Sequence, residues 1–243
     1  MLLTLVGGAA SGQDSLSSSA TQFHPLGTMA FDSFGGRYRY CQAGASDTVA
    51  GSLYQSSAPI ANHLANTPPA VAIGARSFSY TPGATAGAAN LYAEGYLQVD
   101  TTPGNGVGPY SVSGHAAISS ATAFTLVLNE PIAVALTTSS RVGLIANPYK
   151  NVIVSATTVT AADVGWSIGV ITATQYGWLK TRGPVSALIN GTPGVGIGVV
   201  TSATTAGAVD VAAVAAEINV RIIGWMMQVG VSTKNNMVYA ALD

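Results

Sequence analysis

Charge is what this chain has least of. Asp, Glu, Lys and Arg make up 8% of its 243 residues, where a soluble domain ordinarily carries roughly 25%. None of these four residue types occurs between Asp100 and Glu130, or between Arg182 and Asp210. Nine basic residues against ten acidic leave a formal net charge of -1. Such a balance does not steer a polyanion, so nucleic acid is not expected as a partner. The one close basic pair, Arg37 and Arg39 beside Tyr38 and Tyr40, reads as the period-two alternation of a strand, although basic residues interleaved with aromatics also line single-strand grooves.

Cysteine is nearly absent too. Cys41 stands alone, which excludes a disulfide framework and a cysteine-based metal site. Its neighbours make it a small buried residue rather than a nucleophile. Long apolar runs are missing. Ile222 to Val231 is broken by Gly224, Gln228 and Gly230 and falls well short of the ~18 residues that cross a bilayer, so no membrane partner is expected. The opening Met1-Leu2-Leu3-Thr4-Leu5-Val6 has no positive start and is shorter than the roughly 7–15 apolar residues of a signal-peptide core. A soluble protein made in the cytoplasm is expected.

Signatures of catalysis are equally sparse. His-Glu-x-x-His, EF-hand and Walker A patterns do not occur, and each is the spacing its chemistry needs. Gly104-Asn105-Gly106-Val107-Gly108-Pro109 puts proline where a dinucleotide fingerprint needs its third glycine. Gly194 to Gly198 lacks a strand–turn–helix setting and reads as a flexible loop or a strand that admits a close backbone. His24, His63 and His115 stand far apart with no ligand spacing between them; solvated or locally bonded imidazoles are favoured over catalysis and over a three-histidine metal site. Glu94, Glu130 and Glu217 are scattered, unlike the paired acids of glycoside hydrolysis. Asn190-Gly191-Thr192 matters as a glycosylation sequon only in a secreted chain, and otherwise marks a turn. The expectation is a non-enzyme, with no catalytic residue, no metal and no cofactor.

What is present is a strand rhythm. Phe31 to Tyr40 reads as strand, Gly35-Gly36 turn, strand. Val71–Ile73, Phe78–Tyr80, Tyr92–Val99, Phe124–Leu128, Val142–Ile145 and Val152–Val154 follow, punctuated by Gly, Pro and Asn. Trp166–Ile171, Tyr176–Leu179, Val185–Ile189, Ile222–Val231 and Met237–Leu242 continue it, the last two as antiparallel partners. The class is therefore all-β: an antiparallel sandwich or barrel-like β domain or domains with an extended N-terminal arm. The divisions are 1–30 as arm, 31–135 as a first β region and 136–243 as a second, or one continuous β domain. Asp210 to Ile223 offers a competing helix, with Asp210 as N-cap and Glu217 and Arg221 four residues apart. The aromatics Tyr149, Trp166, Tyr176, Trp178 and Trp225 gather in the second half, either as sandwich core or as a surface for a partner or a sugar.

Several segments together resemble the tailed-phage head decoration, or cement, proteins. They are His24-Pro25-Leu26-Gly27-Thr28, Arg37 to Ala45, Val49 to Gln55, Ala93-Glu94-Gly95-Tyr96-Leu97, Ser139-Ser140-Arg141-Val142, Asn147-Pro148-Tyr149 and Gly177 to Pro184. The resemblance runs through most of the chain from about residue 22. It implies a β-rich homotrimer on the outer face of an icosahedral head, at three-fold positions, clamping neighbouring major capsid subunits against packaged DNA. It carries no catalytic residue. It implies an arm reaching to the major capsid protein, with Phe23, Pro25 and Leu26 as capsid-contact candidates. Tyr149, Tyr176 and Trp178 are the subunit-interface candidates. Two other readings stand beside it: a receptor- or glycan-binding tail or fibre module, and a hydrolase using one of the three histidines.

Overall fold

Alternation of side chains along extended backbone accounts for most of the architecture. The computed structural model describes residues 1–212 and 221–243. Its strands, in chain order, are β1 (Leu2–Leu5), β2 (Ala10–Asp14), β3 (Met29–Phe31), β4 (Arg37–Gln42), β5 (Leu53–Gln55), β6 (Ser77–Tyr80), β7 (Tyr96–Thr101), β8 (Tyr110–His115) and β9 (Phe124–Leu128). The remainder are β10 (Arg141–Ile145), β11 (Ile153–Val154), β12 (Asp163–Ser167), β13 (Tyr176–Leu188), β14 (Gly198–Thr201), β15 (Val209–Val211), β16 (Gly224–Met226) and β17 (Asn235–Ala241). One short 3-10 turn, Ala61–His63, is the helical element among the described residues. The chain is all-β and its named strand pairs are antiparallel. No helix among the described residues is long and apolar enough to cross a membrane.

Two compact units divide the chain. The smaller, Ala58–Asn147, is a sheet in the order β10-β7-β8-β9-β6. In β9, Phe124, Leu126 and Leu128 point inward and Thr125 and Val127 outward, the period of two that a one-sided sheet imposes. They meet Tyr80, Tyr92, Leu97, Val112 and Ile132 in one core. The larger unit, Met1–Ser57 with Pro148–Asp243, holds the sheet β15-β14-β16-β17-β13-β4-β3-β1-β2, with β5, β11 and β12 branching from it. These boundaries differ from those expected at 30 and 135: the smaller unit is an insertion, which a linear reading of strand rhythm does not detect.

β13 organises the larger unit. Its first half pairs with β4, Trp178 opposite Tyr40, and its second half with β17, Val185 opposite Val238. Residues 177–181 are buried without alternation, then every second residue is exposed to Ser186. The reason is that the first half is covered on both faces. Trp178 belongs to a cluster with Leu3, Leu26, Ala30, Tyr38 and Tyr40. Leu179 joins Cys41, Ala43, Tyr54, Val152, Val164 and Ile171. A strand buried on two faces loses its period-two signature, so the sequence reading split β13 into two short runs across Gly183-Pro184.

The N-terminal segment is the main correction. Residues expected to form an arm instead make the β1–β2 hairpin, with Thr4 opposite Phe31 of β3, and Leu3 is fully buried. A few well-placed apolar residues suffice because a burial of this kind contributes ~1.5–3 kcal/mol each. Asp210 lies within β15 and caps no helix. The rest of the proposed helix, residues 213–220 with Glu217, lies outside the described residues.

Candidate functional site

Four of the six residues singled out above converge on one aromatic cluster. Trp178 packs against Tyr40 with ring centroids 4.9 Å apart and against His24 at 5.6 Å. Tyr176 stacks on Tyr40 at 6.1 Å. Tyr149 and Tyr176 are half-buried against the same core. Hydrogen bonds stitch the N-terminal segment down: the Phe23 N–H donates to Tyr40 Oη at 3.1 Å, and Gln13 Nε2 to the Tyr176 carbonyl at 2.9 Å. His24 Nε2 bonds the Ser11 carbonyl at 2.6 Å. Trp178, at 1% exposure, and Leu26, at 8%, are core residues and not surface anchors. Phe23 remains 54% exposed, and Pro25 is exposed beside it.

The face that sequence reading missed lies across β13, β17 and β16. Pro184, Tyr239, Trp225 and Gly198 stand in one cross-strand row. Trp225 and Tyr239 stack at 4.8 Å with planes 7° apart. Trp225 is 44% exposed, Met237 46% and Met227 41%, with Ile222 at 57% beyond them. Met227 is fixed next to Met237 by its N–H donating to that carbonyl at 3.0 Å. The signal was available: Met237 and Tyr239 alternate with buried Val238 and Ala240. Trp225 was left open between core and surface, because the Gly- and Gln-broken run Ile222–Val231 shows no alternation that separates its two faces.

Groups that could do chemistry are occupied structurally. His63 bonds Tyr92 Oη and the Thr85 carbonyl, both ring nitrogens engaged. His115 sits in β8 with Nε2 accepting the Tyr92 N–H at 3.0 Å and Nδ1 on the Ala116 carbonyl. Gly165-Trp166-Ser167-Ile168-Gly169 has the spacing of a nucleophile elbow, a match the sequence reading overlooked. Ser167 is fully buried at the end of β12. Its Oγ bonds Thr48 Oγ1 at 2.9 Å and the Gly169 carbonyl, joining two loops; an elbow serine is instead exposed before a helix. Burial pushes the Cys41 thiol up, the opposite of an activated nucleophile. Among the described residues no three His, Cys, Asp or Glu side chains gather to hold a metal.

One buried charge is elaborately held. Asp32, at the turn between β3 and β4, accepts the Phe34 N–H at 2.9 Å and the Gly36 N–H at 2.7 Å on Oδ1. Its Oδ2 accepts Tyr38 Oη at 3.1 Å and Lys180 Nζ at 3.2 Å. Burial opposes the carboxylate, but the Gly36 N–H, Lys180 and the Phe34 N–H outweigh it and hold its pKa below the ordinary value. Asp243 follows the same logic: burial is outweighed by Arg39 Nε at 2.9 Å and the Thr181 hydroxyl at 2.8 Å.

These depressed carboxylates set an acid limit. A group whose folded pKa lies below its unfolded one stabilises above the unfolded value, about 4, and loses that stabilisation as pH falls through the folded value. Urea midpoints of the intact chain should fall as pH drops below about 4. An unchanged midpoint at about pH 2.5 would contradict this account of Asp32 and Asp243.

No family model, curated protein or solved structure matches the chain.

Proposed function

We propose that this protein is a structural decoration protein of a tailed-phage head, bound as a trimer to the outer face of the shell at three-fold positions and clamping neighbouring major capsid subunits. The observation that carries the reading is the outward face of β16–β17: Trp225 on Tyr239, with Met227, Met237 and Ile222 uncovered. Exposed Trp and Met are costly to leave in water and are enriched where proteins meet. The occupant of this face is a second copy of the chain. Met237, Tyr239, Trp225 and Pro184 bear no charge, so two copies meet without repulsion and with little desolvation penalty. Closed cyclic symmetry then covers the face without running on into fibres. The sequence resemblance points the same way.

The glycan-binding alternative draws on the same aromatics. Trp225 and Tyr239 already use one ring face on each other, which favours a protein contact over a flat platform for a sugar.

Light scattering of the purified chain should give a trimer, and cryo-EM of virions should place it on the head. Trp225→Asp should dissociate the trimer at about 10 µM, a loss of ~2 kcal/mol or more per contact, while the circular dichroism of the chain stays unchanged. A strictly monomeric wild type that does not bind heads overturns the proposal. Labelling of the tail, or a hit on a glycan array, favours the alternative.

A further inference from the structure

The β3–β4 hairpin tip is built more firmly than a connecting turn requires. Gly35 takes φ of +80°, a conformation glycine adopts without strain. A Cβ at Gly36 would stand 2.4 Å from Asp32 Oδ2 and 2.9 Å from Lys180 Cε, so the turn closes directly over the buried ion pair. Backbone bonds from the Asp32 N–H to the Gly36 carbonyl at 3.0 Å and from the Gly35 N–H to the Asp32 carbonyl at 3.1 Å complete it. All four donors on the Asp32 carboxylate fix the five residues that carry Phe34. Yet Phe34 itself is 89% exposed, the most exposed large apolar side chain among the described residues. A rigid scaffold that thrusts an uncovered phenyl ring into solvent is a preorganised anchor, since little ordering remains to be done on binding.

The charge beside the tip says what surrounds its socket. Arg37, three residues on, lies directly opposite Arg182 across β4 and β13, an arrangement that is disfavoured unless an anion sits nearby. Arg182 Nη1 donates to the Asp243 carbonyl at 3.3 Å. The Arg37 charge also acts on the Asp243 carboxylate and helps to lower its pKa. Guanidinium groups recognise carboxylates bidentately, and Arg is enriched among interface hot spots.

We infer that Phe34 is the anchor by which this chain docks on the shell, entering an apolar socket of the major capsid protein whose acidic rim meets Arg37. The inference rests on the decoration reading and names the contact that reading leaves open.

The test is co-sedimentation of the full chain with undecorated heads of the phage that encodes it. Phe34→Ala should weaken binding about tenfold or more, with trimer mass and thermal midpoint unchanged, because the ring touches nothing it stabilises. Phe34→Leu and Phe34→Trp should retain binding within about threefold, since the socket needs an apolar knob. Arg37→Glu should weaken binding, and wild-type binding should fall as salt rises. If Phe34→Ala binds as wild type does, the anchor is wrong and the decoration reading stands. If Phe34→Ala breaks the trimer instead, the tip serves a second copy and the inference is overturned. If wild type does not bind heads at all, the decoration reading and this inference fall together.

Discussion

Trp178→Ala is expected to remove about 3–5 kcal/mol of stability, the ordinary cost of emptying a large aromatic site in a core. Trp178 is 1% exposed and touches Tyr40 and His24 ring to ring. The same cluster contains Leu3, Leu26 and Ala30, so the cavity would open beneath the N-terminal hairpin as well as within the sheet. Native domains keep only about 5–15 kcal/mol in total, which makes this loss a large share. The indole Nε1 has no hydrogen-bond partner among the described residues, so Trp178→Phe discards an unsatisfied donor along with some volume and should cost much less than Trp178→Ala. Urea denaturation at pH 7 measures both. Limited proteolysis should find new cleavage between residues 15 and 27 in Trp178→Ala before global unfolding. A loss under about 1 kcal/mol would mean that the cluster does not support the N-terminal hairpin and the sheet.

Where strands face a core on one side only, their positions could be read directly. Phe124–Leu128 was expected and observed with the same ends, because every second side chain is apolar. The hairpin around Gly35-Gly36 was legible for its turn residues, and β16 pairs with β17 as anticipated. Failures came where alternation is absent or masked. β8 carries Ser111, Ser113 and Gly114, residues that signal a turn locally and become strand only because β9 and β7 pair with them. β2, Ala-Ser-Gly-Gln-Asp, is polar by composition, yet Ser11 and Gln13 point inward and find partners there.

The same limit applied to the candidate site. Tyr149, Tyr176 and Trp178 are the subunit-interface candidates of the sequence; three-dimensional placement puts Trp178 in the core and leaves Trp225 uncovered. Aromatic content is visible in a sequence, whereas which ring is covered depends on strand neighbours distant along the chain. The Asp32–Lys180 pair spans 148 positions, and nothing local to either residue announces it.

Asp32→Ala should therefore be as damaging as the loss of Trp178, for a different reason. It strands the Lys180 ammonium, whose side chain is 11% exposed, and leaves the Tyr38 hydroxyl and the Phe34 and Gly36 amides without their acceptor. Breaking a buried pair from one side costs about 3–5 kcal/mol. Lys180→Met should cost less, because Asp32 would keep three of its four donors and the methionine fills the stem's space over the Tyr38 ring. The double variant should be more stable than Asp32→Ala alone, since it removes the orphaned cation. A double-mutant cycle in urea reads this coupling, and additive losses would show that the pair does not act as a unit. Hydrogen exchange at the Phe34 and Gly36 amides should accelerate in Asp32→Ala beyond what the global loss explains. In Lys180→Met those two amides should stay protected, because their acceptor is still in place. That contrast separates the carboxylate that shapes the hairpin tip from the ammonium that neutralises it.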